Sequence, residues 1–324
     1  MDTSNKRVNV RKSLRRQSMA AAFATVALGI PAASRATEGG IGRPLTGMQI
    51  APYAGIVPPT SDWIFSITSI YYEGSLGKSK SIPIAGTVTA GLNYRVSYNI
   101  LNAVKTWGIT LGGWNFASTF GVPLQYTSAS SFNGRLPNDS ATQFADILFT
   151  PVVAGYHLTK TDHIALSVQM YAPTGAYSTS RLANAGQNTW TFIPTIAYTK
   201  LLPEHNVELS ANYGVNFYTP NNETHYHNAP ISVLDLLALK RFTNGWGVGV
   251  LGGWIQQIGD DSGGVAEVTG GVGGHSVGIG PVVTWSGKLS STPVSASLRW
   301  VNEFAVRNRP KGNAVELSIS ATFQ

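Results

Sequence analysis

Over long stretches of this chain, apolar and polar side chains alternate with a period of two, which restricts those stretches to sheet. Between residues 87 and 100, Val88, Ala90, Leu92, Tyr94, Val96, Tyr98 and Ile100 share one face of an extended strand. Thr87, Thr89, Gly91, Asn93, Arg95, Ser97 and Asn99 share the other. A helix at 3.6 residues per turn would scatter both sets. Residues 206–218 repeat the pattern, with Val207, Leu209, Ala211, Tyr213, Val215 and Phe217 opposite Asn206, Glu208, Ser210, Asn212, Gly214 and Asn216. Residues 294–301 set Arg299 against Leu298 and Trp300, and residues 314–323 set Val315, Leu317, Ile319, Ala321 and Phe323 against Glu316, Ser318, Ser320 and Thr322.

Weaker segments at 61–72, 106–120, 145–156, 162–171, 189–199, 232–242, 246–257 and 275–285 bring the number of expected strands to twelve. The 232–242 segment reads equally as an amphipathic helix through Leu234-Asp235-Leu236-Leu237-Ala238-Leu239. The expected links alternate in length. Short ones fall near 101–105, 157–161, 200–205, 243–245 and 286–293, and longer ones near 73–86, 121–144, 172–188, 219–231, 258–274 and 302–313. This alternation is that of an all-β, transmembrane, antiparallel up-and-down β-barrel of about 12 strands, with short periplasmic turns, long extracellular loops and both termini on the periplasmic side. A soluble sandwich has no reason to produce it. Trp63, Tyr71, Trp107, Tyr156, Trp190, Tyr198, Trp246, Trp285 and Trp300 stand near expected strand ends, as interfacial girdles require.

The first 36 residues read as a signal peptide. Lys6, Arg7, Arg11, Lys12, Arg15 and Arg16 form a basic start, residues 18–33 an Ala-rich apolar stretch, and Ser34-Arg35-Ala36 a small-residue cleavage site before Thr37. Arg15-Arg16 resembles a twin-arginine signal, but that route carries folded proteins and a barrel arrives unfolded. Residues 1–36 hold seven of the 23 Lys/Arg and one of the 16 acids, so the net charge of the remainder is +1 rather than +7. The positive charge belongs to the export signal and gives no support for nucleic-acid binding. Charged residues make up only 12% of the chain, and there is no cysteine to build a disulfide or thiolate site. After the signal no apolar run is long enough for a membrane helix. The expected organisation is thus 1–36 signal peptide, 37–60 a Gly/Pro-rich segment too broken for a strand, and 61–324 the barrel. A disordered lead-in and a plug folded into the lumen both fit residues 37–60, and the plug is preferred.

Several stretches resemble the outer-membrane family of the meta-pathway of phenol degradation, whose members are described as transporters. They are Thr37-Glu38-Gly39-Gly40, Asp146-Ile147-Leu148-Phe149-Thr150-Pro151 and Ala172-Pro173-Thr174-Gly175. Further along come Asn222-Glu223-Thr224-His225-Tyr226, residues 257–263, Ile279-Gly280-Pro281, and Glu303 through Arg309-Pro310-Lys311-Gly312. The resemblance runs in order through residues 37–324. It implies a barrel linked to uptake of aromatic or other hydrophobic compounds. The imidazoles His225 and His227 depart from the family pattern.

Three motifs admit chemistry, and each has a plainer reading. Gly274-His275-Ser276-Val277-Gly278 matches G-x-S-x-G, but it leads into a strand and no His follows it, so it lacks the elbow and triad of a hydrolase. His225 and His227 could offer two imidazoles to a metal, yet a structural site needs more ligands. Asp260-Asp261-Ser262-Gly263 lacks the ligand set of a calcium loop. No catalytic residue, metal or cofactor is therefore expected.

The polar faces supply the candidate site. Arg95, Glu208, Arg299 and Glu316 are expected to face the lumen beside Asn93, Gln169, Asn212 and Asn216, with Asp146 and Asp235 added. They would either pair and fill a small barrel or form a polar constriction that selects solutes. Glu303 and Arg309 are expected at the extracellular rim, gating the channel or pairing. The expected protein is a monomeric outer-membrane channel, its partners outer-membrane lipids and a small hydrophobic or aromatic solute. The rivals are a structural or adhesion barrel without transport, and an outer-membrane hydrolase.

Overall fold

The structure, a computed structural model, describes residue 38 and residues 41–269 and 273–324. The signal-peptide reading of residues 1–36, with cleavage before Thr37, lies outside the described residues. The strands are β1 (Trp63–Ile84), β2 (Thr87–Leu111), β3 (Trp114–Asn133), β4 (Asp139–Phe144), β5 (Leu148–His157), β6 (Asp162–Tyr171) and β7 (Thr191–Leu202). They continue with β8 (Val207–Tyr218), β9 (Ile231–Arg241), β10 (Trp246–Gln257), β11 (His275–Leu289), β12 (Thr292–Arg307) and β13 (Lys311–Phe323).

Each wall strand is antiparallel to the next, and β1 closes the ring on β13 in register from Trp63–Phe323 to Ser75–Lys311. β4 and β5 share one edge of β3, β4 against 124–129 and β5 against 114–121, so they are two pieces of a single wall strand. The barrel therefore has twelve strands. Between the two pieces the chain steps inward at 145–147, and Asp146 becomes fully buried.

The expected number of twelve strands holds, and 232–242 is strand β9, paired with both β8 and β10, but the expected strand at 106–120 is the tip of a hairpin, its first half in β2 and its second in β3. The limits of the first strands differ from expectation. Residues 101–105 lie inside β2, and the short turn that follows is Gly112-Gly113, whose φ values of 59° and 85° suit a two-residue hairpin turn. Residues 73–86 and 121–144 are mostly strand rather than loop. Their Gly/Ser content reads as loop, but Leu76, Ile82, Ile84, Leu92 and Ala129 point inward with period two and pack on Leu182 of the β6–β7 loop. Likewise β12 runs on to Arg307, and only 308–310 remain of the expected loop at 302–313.

Large apolar side chains cover the outside of the wall: Ile67 is 56% exposed, Leu101 61%, Leu298 51% and Ile319 50%. An apolar belt of this kind is tolerated where lipid covers it. Trp63, Trp107 and Trp246 border it at the end of the short turns, and Tyr71, Trp190 and Trp300 at the other, all exposed. The inside holds a packed core instead. Met48 and Ile50 of the segment before β1 pack on Tyr72, Leu237, Leu239, Leu251 and Val301 of the wall.

Candidate functional site

The lumen is organised around residues 41–62, which run inside the barrel without forming a strand or helix. Two turns inside it satisfy the N–H groups of Met48 and Ile56 with the carbonyls of Leu45 and Tyr53, and the backbone groups that find neither a turn nor a ladder need partners on the wall. The wall meets them mainly with buried charged side chains. Asp235 accepts the N–H of Gly47 at 3.1 Å through one carboxylate oxygen and that of Gln49 at 2.7 Å through the other. Glu208 accepts the N–H of Tyr53 at 2.6 Å while paired to Arg241, whose guanidinium lies 4.1 Å over the Tyr53 ring. Arg299, paired to Glu316 at 3.0 Å, donates to the carbonyl of Ile50. Arg309 donates to the carbonyl of Pro44 at 3.0 Å, and Asn212 to that of Gln49 at 3.0 Å.

Side chains of the segment reach out in turn. Arg43 pairs with Asp146 at 2.6 Å, donates to Thr191 Oγ1 and the Thr189 carbonyl, and lies 4.7 Å over the Tyr171 ring. Asp146 also accepts the N–H groups of Gly175 and Gln187, so one carboxylate ties the segment to the β6–β7 loop. Thr46 donates to Glu303 at 2.6 Å and touches Ser276 at 2.7 Å, while Glu303 also accepts from Tyr72 Oη and the N–H of Gly312. At the outer end, Glu38 accepts from the N–H of Gly86, from Asn221 Nδ2 and from Thr224 Oγ1; burial pushes its carboxyl up from 4.5. Toward the short-turn end, Gly55 donates to Thr199 Oγ1, and Asn115 donates to the Val57 carbonyl.

Of the residues expected on the lumen wall, Asp146, Glu208, Asp235, Arg299 and Glu316 are buried inside. Gln169 and Asn212 face the cavity described next. Glu303 and Arg309 are buried against the segment rather than standing at an open rim. Asn93 and Arg95 are the correction. Both project from the outside of the barrel, and Arg95 pairs with Glu73 at 2.9 Å, each side chain more than half exposed. The face of β2 that points inward is the one carrying Tyr94, Val96, Tyr98 and Ile100. Its pattern inverts at Ile100–Leu101, below which Leu101 points out and Asn102 points in. That inversion imitates a turn, which is why 101–105 reads as a link.

Beside the segment runs a cavity of about 860 Å³, reaching from Ile84, Leu182 and Tyr177 near the end of the long loops to Ile64 and Ser286 near the end of the short turns. One side is aromatic and aliphatic, with Ile70, Tyr94, Tyr98, Ile100 and Tyr171. The other is a hydroxyl surface that emerges only from the register. Thr68, Ser318, Ser297 and Thr284 stand side by side across β1, β13, β12 and β11, and Ser66, Ser320, Ser295 and Ser286 form the next row. Thr68 and Ser318 are 3.0 Å apart, and Ser295 and Ser320 2.7 Å. The charged side chains on the cavity wall are Glu38, Arg43, Arg241, Arg299 and Glu316, and each is hydrogen-bonded or ion-paired within the protein. The cavity therefore offers a solute apolar surface and neutral hydroxyls.

The remaining motifs serve the loops. Ser276 is fully buried against Thr46. Asp261 accepts from Tyr226 Oη at 2.7 Å, the N–H of Ala229 and Gln257 Nε2, joining the β8–β9 and β10–β11 loops; burial pushes its pKa up to about 6. His227 Nε2 lies 2.9 Å from the carbonyl of Tyr218.

A family model described as "Putative MetA-pathway of phenol degradation" matches residues 78–319. Among solved structures, an outer-membrane channel from Pseudomonas putida F1 aligns with a TM-score of 0.70 at 15% identity, over 85% of this chain and all of that one. The β-domain of the Bordetella autotransporter BrkA aligns at 0.47 and 11% identity, over 82% of this chain and 100% of that one. The transport unit of the autotransporter AIDA-I from Escherichia coli aligns at 0.46 and 11% identity, over 82% and 90% respectively. No curated protein matches the chain.

Proposed function

Because this chain belongs to the MetA-pathway phenol-degradation family, we propose that it is a monomeric outer-membrane channel for passive uptake of small, uncharged aromatic or other hydrophobic solutes. The observation that carries this reading is the cavity of about 860 Å³, with an aromatic wall, a hydroxyl wall and no charge left unpartnered on its surface. A ring gains by leaving water along Tyr94, Tyr98 and Ile100, and a single polar substituent exchanges hydrogen bonds from one serine to the next. Transport needs binding weak enough to release, and neutral hydroxyls meet that condition better than a buried ion would. On this reading, residues 37–60 act as a plug that narrows the lumen, and the buried charges serve to hold the plug. Residues 1–36 direct export to the outer membrane of a Gram-negative cell and are then removed.

Permeation into proteoliposomes tests the proposal. Neutral aromatics such as phenol or toluene should enter faster than benzoate or a sugar of similar size, and substitution of Tyr94 and Tyr98 by Ala should reduce the difference. Absence of permeation for every solute would leave a structural or adhesion barrel as the better reading.

A further inference from the structure

The outside of the barrel carries a polar groove that the channel reading leaves without a role. Register across β13, β1, β2 and β3 arranges the outward side chains in rows. The row Val315–Tyr71–Ser97–Tyr126 ends the apolar belt. The next is Asn313–Glu73–Arg95–Ser128, followed by Lys311–Ser75–Asn93–Ser130. Same-face residues are about 6.6 Å apart along a strand, and a barrel strand tilts by about 40°. Each row thus rises about 5 Å, and the two polar rows lie about 5 and 10 Å beyond the Tyr71–Tyr126 row, at headgroup depth. They line a groove of about 430 Å³.

The groove has unused donors of two kinds. Arg95 gives only Nε to Glu73, which leaves its two terminal nitrogens without a partner among the described residues, and Lys311 Nζ has none there. Ser75, Asn93, Ser128 and Ser130 likewise have side chains without hydrogen bonds to described residues, and Asn313 accepts only from Asn302. Glu73 is the one carboxylate in the groove, so its lining is net positive. A further cation, Lys78, stands above it over the Phe132 ring. Guanidinium and ammonium groups recognise phosphate, and a fringe of hydroxyl and amide groups suits sugar hydroxyls. Below the Tyr71 row comes Leu317–Ser69–Asn99–Leu124, and then the fully apolar row Ile319–Ile67–Leu101–Val122, along which acyl chains would continue.

We propose that this groove binds the phosphorylated saccharide headgroup of an outer-leaflet lipid, with Arg95 and Lys311 on the phosphate and the Ser/Asn fringe on the sugar. The proposal rests on the outer-membrane placement argued above. The test titrates the mature chain in detergent micelles with diphosphoryl lipid A and counts bound lipid by native mass spectrometry. Fractionation of the producing cells and a gel-shift on heating confirm beforehand that each protein is a folded outer-membrane barrel. Wild type should bind one lipid A at least about tenfold more tightly than R95A/K311A and than it binds dephosphorylated lipid A. Ser130→Trp, which fills the groove and leaves both cations, should weaken binding similarly, and millimolar inorganic phosphate should not displace the lipid. Equal binding by wild type and R95A/K311A, equal binding of dephosphorylated lipid, or displacement by inorganic phosphate would each overturn the proposal. Recovery of folded protein outside the outer membrane would instead overturn the placement on which it rests.

Discussion

Asp235→Ala is the most direct test of what the lumen charges do. The carboxylate is fully buried and its two oxygens accept separate backbone N–H groups, from Gly47 and Gln49. A hydrogen bond to a charged group contributes roughly 1.5–3 kcal/mol, so the pair contributes about 3–6 kcal/mol before desolvation is counted. Drying the carboxylate as the segment docks takes back part of that, leaving a net of about 2–3 kcal/mol for holding the segment in place. Removing it should lower the ratio of docked to undocked segment by about 30- to 150-fold. The barrel itself should remain intact, because the β8–β9–β10 ladder does not depend on this side chain.

Two readouts follow the segment rather than the barrel. Single-channel conductance of D235A in a planar bilayer should show frequent large openings that are rare in wild type. In a Gln49→Cys background, thiol labelling from the periplasmic side should speed up by a similar factor when Asp235 is replaced. Asp235→Asn keeps one acceptor and turns an N–H₂ toward the second amide, so it should fall between. Wild-type conductance and labelling in D235A would refute the claim that Asp235 anchors the segment, and with it the reading of the lumen charges as clamps.

Arg43→Ala leaves Asp146 buried without its ion pair, a loss of about 3–5 kcal/mol, and should raise hydrogen exchange in residues 172–188 more than Asp146→Asn does. Asp261 titrates near 6 in the folded loops against about 3.8 when free, so the order it supports is complete below pH 4 and is lost as pH rises through 6, by up to about 3 kcal/mol. Exchange protection of residues 219–230 should therefore fall between pH 4 and pH 7 in wild type and stay flat in Asp261→Asn. A Cβ at Gly55 would meet the Thr199 backbone nitrogen at 2.6 Å and the His163 carbonyl at 2.7 Å, so Gly55→Val should displace this end of the segment and raise conductance. Ester hydrolysis by the purified protein should be no faster than by Ser276→Ala, because Ser276 is fully buried with its hydroxyl against that of Thr46.

The barrel was legible because its strands repeat one rule many times, and β8 shows how far that rule reaches. Its alternation places Glu208 and Asn212 inside and Leu209 and Tyr213 outside without reference to any other strand. The same rule misassigns Arg95, since alternation states which residues share a face and not which face is inner. On β8 the outer face meets lipid along its length, so apolar means outward. On the upper half of β2 the outward Asn93 and Arg95 have passed the aromatic row, while the inner face borders the cavity and the Leu76–Leu92 cluster, so apolar means inward. The switch at Ile100–Leu101 comes two rows short of the aromatic row, because the outward Asn99 and Ser97 are polar as well, and it resembles a turn until the neighbouring strands are in register. The partners of the charges were out of reach for a different reason. Glu208 meets the backbone of Tyr53 across 155 residues, and Arg299 meets that of Ile50 across 249. A backbone amide has no signature in the sequence, so a clamp made from it cannot be told from a selectivity filter until the segment is traced. The hydroxyl rows are hidden in the same way: eight serines and threonines on four strands become one surface only when β11, β12, β13 and β1 are laid side by side.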